Sequence, residues 1–174
     1  MSNVSRLLVV DASVLRSAGE KNGHSAHCSK VLNSILEICH RAAFCTETQQ
    51  EWNKHQSGIS SKWRAAMVAR KKLVKTNISV HLRRISVDVD GLLDVTEVQR
   101  AALNKDAHLL AAAAHADHFI ISGDKALKLL SDGYLKESVE WLVVSNDDSD
   151  QQRREQIDRL SQLAKQKPFP LLPP

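Results

Sequence analysis

The sequence has no long apolar run, which excludes a membrane-spanning helix. No stretch approaches the roughly 20 consecutive apolar residues that a bilayer requires, although 43% of the 174 residues are hydrophobic. The amino-terminal segment MSNVSRLLVV contains four consecutive apolar residues, fewer than the roughly 7 to 15 of a signal-peptide core. We therefore expect a cytoplasmic protein without membrane contacts.

Glycine and cysteine are scarce. None of the six glycines belongs to a GxGxxG or GxxxxGK[ST] motif, which argues against a nucleotide-binding phosphate loop. Cys28, Cys39 and Cys45 are odd in number and lie in helix-like or strand-like text, so we expect free thiols in a reducing compartment. His24 and His27 lie near Cys28, but their spacing matches no paired-ligand zinc motif.

Acidic residues are absent from the stretch between Asn53 and Val87, in a chain of net charge +4. Lysines and arginines are frequent in the same stretch. Such cations can neutralise the phosphates of a nucleic acid, or they can form an ordinary solvated helix face. The candidate nucleic-acid contacts are Lys62, Arg64, Arg70, Lys71, Lys72 and Lys75.

Strand-like and helix-like segments alternate along the chain. Strands are predicted at residues 6–10, 42–46, 78–87, 118–122 and 139–145. Helices are predicted at 25–40, through Glu51, at 60–75, from Thr96 to about 116, at 124–130 and at 150–166. This alternation predicts an α/β fold whose central, mainly parallel sheet of about five strands carries helices on both faces.

The carboxyl-terminal part differs in composition from the rest. We assign residues 1–148 to one domain and 149–174 to a charged helix followed by the proline-rich tail PFPLLPP. Ile157, Leu160 and Leu163 form a narrow apolar seam on this helix. The seam can pack on the domain or on another subunit, as in a homodimer.

The segment LLVVDAS, residues 7–13, ends a buried strand on a carboxylate. In parallel sheets, ligands bind beyond the carboxyl ends of the strands, which is where Asp11 lies. An aspartate at this position can also cap the following helix. This residue alone leaves both interpretations open.

The segment NKDAHLLAAAAHADHFIISGDKAL, residues 104–127, brings two further acids to the same edge. A helix beginning near Asp106 extends about 16 Å, and the strand from His118 returns about 20 Å, so Asp106 and Asp124 come close to Asp11. Clustered carboxylates repel one another. A divalent cation removes this cost, and oxygen ligands suit Mg²⁺ or Mn²⁺.

Four motifs resemble those of the PIN-domain nucleases. They are VVDAS with Asp11 and Ser13, TETQQEW with a glutamate, KDAHLLAAA with Asp106, and IISGD with Asp124. Their order and spacing agree over roughly residues 6–145. The resemblance implies a three-layer PIN-like fold with a sheet of about five strands, and a metal-dependent nuclease whose catalytic, metal-binding acids are Asp11, Glu51, Asp106 and Asp124.

The resemblance also implies a substrate and partners. PIN-domain nucleases act mostly on RNA, so we expect an endoribonuclease that uses Mg²⁺ or Mn²⁺ and leaves a 5′-phosphate and a 3′-hydroxyl, with DNA left open as a substrate. Many members are toxins of toxin–antitoxin pairs, which implies an antitoxin protein as a partner. The alternative is a PIN fold that binds RNA or a protein without cutting.

Two features of the site differ from the family pattern or leave a choice. Glu47 and Glu51 lie one helical turn apart, and we choose Glu51 because it lies deeper in the helix. Many PIN domains carry a further acid shortly after the one that matches Asp124, whereas Lys125 and Ala126 follow here. The number of metal ions, one or two, therefore stays open.

Two serines lie close to the predicted ligands. Ser13 and Ser122 are each two residues from a metal-site aspartate. Their hydroxyls can hold a carboxylate or a metal-bound water in place, or they can be ordinary turn serines. His108, which follows Asp106 by two residues, is left outside the predicted site.

Overall fold

The computed structural model describes residues 3–135 and 138–166 and shows an α/β fold around one parallel sheet. The strands are β1 (Leu7–Val10), β2 (Arg41–Phe44), β3 (Leu73–Lys75), β4 (Phe119–Ser122) and β5 (Glu140–Val143). The helices are α1 (Ala12–Ser17), α2 (Gly23–Glu37), α3 (Thr46–His55), α4 (Gly58–Ala69), α5 (Ser79–Asp90), α6 (Glu97–His115), α7 (Lys125–Tyr134) and α8 (Asp150–Leu163). The predicted fold class is confirmed.

The sheet lies between two layers of helices because both faces of its strands are apolar. Leu8 and Val10 of β1 face one core with α1, α2, α3, α4 and α8, while Val9 faces a second core with α5, α6 and α7. Leu160 and Leu163 of α8 are buried in the first core. The proline-rich tail lies outside the described residues.

The strand order β3-β2-β1-β4-β5 creates a crevice between β1 and β4. The chain builds outward from β1 to β3 and then crosses back, so the loops after β1 and β4 leave the sheet in opposite directions. Ligands of open parallel sheets bind at such a switch point. The Asp11 N–H donates to the Ile121 carbonyl over 2.9 Å, which joins the two strands at this place.

Helix α6 begins where the sequence predicts it. Thr96 and Gln99 form a capping box: the Gln99 N–H donates to Thr96 Oγ1 over 3.2 Å, and the Thr96 N–H donates to Gln99 Oε1 over 2.8 Å. The helix then continues without a break to His115. Asp106 therefore lies in the middle of α6, not near a helix start.

The helix predicted at 60–75 is too long, because α4 ends at Ala69 and residues 73–75 form β3. Lys71 has a φ of 55°. Its N–H donates to the Val68 carbonyl and the Lys72 N–H donates to the Met67 carbonyl, over 2.9 and 2.8 Å. This is the Schellman arrangement, which normally uses glycine at the left-handed position. A lysine there gives no stop signal in the sequence.

The strand predicted at 78–87 is wrong, because these residues belong to α5. The alternation of apolar and polar residues after Ile78 favoured a strand. In the structure, the buried residues of α5 are Ile85 and Val89, which lie four apart on one helical face. Val80 and Val87 are exposed. Packing against α6 decides the structure here over β-branched propensity.

We predict that Lys71→Gly stabilises the protein. A non-glycine residue in the left-handed region costs about 1–2 kcal/mol, while glycine loses about 0.5–1 kcal/mol of chain entropy, so the free energy of unfolding should rise by about 0.5–1 kcal/mol in urea titrations. The matched control is Lys62→Gly within α4, which should lower it by about 1 kcal/mol. A loss of stability in Lys71→Gly would contradict this account.

Candidate metal centre

The four predicted acids line one pocket at the crevice between β1 and β4. The loop after β1, α3, α6 and the loop after β4 each contribute one of them. We call this the acid pocket. Its polar lining consists of Asp11, Ser13, Arg16, Glu51, Lys54, His55, Lys105, Asp106 and Asp124.

Asp11 is buried, with 9% of its surface exposed, and is held by two serine hydroxyls. Ser13 Oγ donates to Asp11 Oδ2 over 2.5 Å, and Ser122 Oγ donates to the same oxygen over 2.7 Å. Asp11 occupies the N-cap position of α1, but its side chain makes no capping hydrogen bond. The helix-cap interpretation therefore does not account for this carboxylate.

Each serine also accepts a backbone hydrogen bond from the loop after β4. The Gly123 N–H donates to Ser13 Oγ, and the Asp124 N–H donates to Ser122 Oγ, both over 2.9 Å. Because a hydroxyl has one proton, each serine that accepts from the backbone directs its own proton to Asp11. A Cβ at Gly123 would lie 3.3 Å from Ser13 Oγ, so this position favours glycine.

Only one of the two carboxylate oxygens of Asp124 accepts a hydrogen bond from the described residues. Its Oδ1 accepts from the Leu127 N–H over 2.8 Å and caps α7. The hydrogen bonds of Asp11 likewise engage only Oδ2. Each aspartate at a strand end thus has one oxygen fixed by the fold and a second oxygen without a hydrogen bond from the described residues.

Glu51 reaches the pocket because α3 is anchored to β1. The neighbouring Trp52 is buried, and its Nε1–H donates to the carbonyl of Val10, the last residue of β1, over 3.0 Å. Glu47, one turn earlier, does not line the pocket. Of the two glutamates that the sequence left as alternatives, the structure thus brings Glu51 to the other acids.

The Asp106 carboxyl lies in a desolvated part of the acid pocket, close to other acids. The pKa of Asp106 is raised to about 6, chiefly by burial and also by the nearby Asp11 and Glu51 carboxylates, while Lys105 and His108 oppose the rise. This is the electrostatic consequence of carboxylates sharing a desolvated pocket. A cation bound in the pocket would relieve this repulsion.

His108 is a neighbour of the site that the sequence interpretation left out. It is buried on α6, and its Nε2 lies 3.3 Å from Glu51 Oε2. Its Nδ1 lies 3.2 Å from the Lys105 carbonyl. The contact places the imidazole of His108 beside the Glu51 carboxylate, although His108 Nε2 makes no hydrogen bond with the described residues. No signal for this contact is present in the sequence, because residues two apart on a helix are about 200° apart and His108 was expected to face away from Asp106.

The donor set fits a hard divalent cation in chemistry, but it does not form a closed ligand shell. All four acids offer oxygen, which Mg²⁺ and Mn²⁺ prefer. Within residues 3–135 and 138–166, no three His, Cys, Asp or Glu side chains are arranged so that they could hold a metal ion. Because Mg²⁺ keeps several waters and uses one or two carboxylates, an ion in this pocket would have to be bound partly through water.

Two of the predicted nucleic-acid contacts instead bind the end of α2. Lys72 Nζ donates to the carbonyls of Leu36, over 2.5 Å, and of Ile38. Arg70 Nη1 donates to the Leu36 carbonyl over 3.1 Å and to Glu37 over 3.2 Å. Cations are favourable at a helix carboxyl terminus, so these contacts give the two side chains a structural role.

The other four predicted contacts lie on two further surfaces, and none lines the acid pocket. Lys62 lines a depression between α2 and α4, while Arg64, Lys71 and Lys75 line a groove between α3 and α4. The cations at the acid pocket are different residues. They are Arg16, Lys54 and Lys105, together with His55.

Comparisons with known proteins found neither a matching family model nor a matching curated protein. In the parts of the chain that the structure describes, no helix is long and apolar enough to cross a membrane.

We predict that Asp106→Asn stabilises the metal-free protein at neutral pH. A folded-state pKa of about 6, raised from 3.8, means that the contribution of Asp106 to stability is present below pH 3.8 and is lost as the pH rises through 6. The free energy of unfolding in EDTA should therefore rise by about 1–2 kcal/mol at pH 7.5.

The same substitution should give only about a third of this gain at pH 4.5, because the folded wild-type carboxyl is mostly protonated there while the unfolded one is mostly charged. Urea titrations at the two pH values measure the difference, with Asp88→Asn on the exposed surface of α5 as the control. An equal gain at both pH values would show that charge repulsion is not the cause.

Proposed function

We propose that this protein is a metal-dependent endoribonuclease of the PIN type, which hydrolyses phosphodiester bonds in RNA. The observation that carries the proposal is the meeting of Asp11, Glu51, Asp106 and Asp124 in one pocket at the switch point of a parallel sheet. These acids come from four separate parts of the chain. Burial of Asp106 beside other carboxylates raises its pKa and is costly for stability, and binding a cation would give this cost a function.

The oxygens of the acid pocket are the proposed ligands for Mg²⁺ or Mn²⁺. Asp11 and Asp124 each have one oxygen fixed by hydrogen bonds and one available for binding, while Asp106 and Glu51 complete the set. When bound, such an ion stabilises charge on a phosphate and lowers the pKa of a coordinated water.

The remaining groups of the acid pocket orient the acids or attract the substrate phosphate. Ser13 and Ser122 hold the Asp11 carboxylate in one position, and His108 contacts Glu51. Arg16, Lys54 and Lys105 line the same pocket and provide positive charge for a phosphodiester. No histidine or cysteine nucleophile is required by this arrangement.

We predict that Asp11→Asn and Asp106→Asn each lower cleavage about 100-fold or more, a loss typical of removing a group that stabilises transition-state charge. The assay follows labelled single-stranded and hairpin RNA, and DNA of the same sequences, with Mg²⁺, Mn²⁺ or EDTA. The products should carry a 5′-phosphate and a 3′-hydroxyl. Because Asp106→Asn should stabilise the metal-free fold, its loss of activity cannot be attributed to unfolding.

Glu47→Gln is the matched control for Glu51→Gln. The two single substitutions change the charge equally and lie one turn apart on α3. Only Glu51→Gln should lose activity, because Glu47 lies outside the acid pocket. Cleavage that survives in EDTA, or products with cyclic phosphate ends, would contradict the mechanism. RNA that is bound equally by wild type and Asp11→Asn but never cut would instead indicate a PIN fold that binds RNA without cutting it. The expected role as the toxin of a toxin–antitoxin pair depends on RNA cleavage and would then also be contradicted.

A further inference from the structure

A second polar surface lies on the opposite side of α3 from the acid pocket. It is the groove between α3 and α4, and we call it the α3–α4 groove. Gln49 and Asn53 of α3 line it, with Gln56 at the C-cap of this helix, and they face Arg64, Lys71 and Lys75. No aspartate or glutamate contributes to its lining.

The charged side chains and two of the amides give the groove a set of hydrogen-bond donors. Arg64 Nη1 donates to Asn53 Oδ1 over 3.0 Å and to Gln56 Oε1 over 2.7 Å. Each amide has one oxygen and two N–H donors, so the use of both oxygens by Arg64 leaves the amide N–H groups for a ligand. The guanidinium also lies over the ring of the buried Trp52, 5.4 Å from the centroid, which limits its freedom to move.

The positive charge of the groove is not compensated by described acidic residues. Arg64 bonds two neutral amides, and neither Lys71 nor Lys75 forms an ion pair within the described residues. Burial lowers the pKa of Arg64, which reflects the cost of desolvating a cation without a carboxylate partner. An anion with several acceptor oxygens would satisfy these donors and offset this cost.

Helix α3 places this groove next to the acid pocket. Glu51, Lys54 and His55 line the acid pocket, while Asn53 and Gln56 line the groove. An α-helix turns about 100° per residue, so the two sets lie on opposite faces of the same helix. A helix with its side chains is about 10–12 Å wide, a distance that a few nucleotides span.

We propose that the α3–α4 groove is a phosphate-binding subsite for a single-stranded RNA whose scissile phosphodiester lies in the acid pocket. The proposal rests on the nuclease function proposed above and narrows the six candidate cations to Arg64, Lys71 and Lys75. The strand crosses α3, with backbone phosphates on both sides of the helix. The groove binds the sugar-phosphate backbone and not particular bases.

The test measures binding separately from cutting. Fluorescence anisotropy of a fluorescein-labelled 12-nucleotide oligouridylate in EDTA gives the Kd of wild type, Lys71→Gln and Lys75→Gln. We expect each substitution to raise Kd about 5-fold. The slope of log Kd against log salt concentration should also fall by about 1, which corresponds to the loss of one phosphate contact. Both lysines are exposed, so the variants should fold normally.

The matched controls are Lys62→Gln and Arg70→Gln, which change the net charge equally but lie outside the groove. They should change Kd less than about 2-fold. Equal weakening by controls and groove variants, or no measurable binding by wild type, would overturn the subsite. A deoxyoligonucleotide of matched length should bind within about 3-fold and respond to the same variants, because the groove offers donors to phosphate.

The outcomes also separate this inference from the proposed activity. Strand binding that depends on Lys71 and Lys75, in a protein that cuts nothing, would support the groove and refute the nuclease. Metal-dependent cutting of the same oligonucleotide with an unchanged KM in both groove variants would support the nuclease and refute the groove.

Discussion

The arrangement of the site depends on one buried carboxylate at the point where β1 and β4 diverge. Asp11 Oδ2 accepts hydrogen bonds from Ser13 and Ser122, whose oxygens in turn accept N–H groups of the loop after β4. Charge-assisted hydrogen bonds of this kind are stronger than neutral ones. They fix the loop after β4 relative to β1, and with it the position of Asp124. The second aspartate of the site is thus placed by the first.

The fold class and the convergence of Asp11, Asp106 and Asp124 could be predicted because both follow from regular geometry, whereas Glu51 was implied only by the family resemblance. One strand ends at Asp11, and a helix and a strand return the chain to Asp124. The lengths of these elements place both aspartates at the same edge of the sheet, whatever the details of packing. The structure adds that Asp106 lies in mid-helix and that Glu51, not Glu47, faces the pocket. That choice depends on the rotation of α3, which the Trp52 hydrogen bond to β1 sets. A tertiary contact of this kind leaves no local signal.

The errors along the chain have a related origin. Lys71 ends α4 in a conformation that usually requires glycine, so the sequence predicted helix where β3 forms. The short β3 then separates cations that are adjacent in the sequence: Lys72 binds the end of α2, while Lys71 and Lys75 face the α3–α4 groove. A run of like charges in a sequence is therefore not a patch until the helix boundaries are known.

Helix α3 separates two surfaces of opposite charge and carries residues of both. The Trp52 side chain anchors the helix to β1 and also supports the guanidinium of Arg64, so the register of the helix controls both surfaces together. Inserting or deleting one residue before Trp52 would turn the preceding part of the helix by about 100° relative to Trp52. The same change after Trp52 would turn the part of the helix that follows it. A change of length within α3 would therefore disturb both surfaces at once, whereas a substitution on one face of the helix can alter one surface alone.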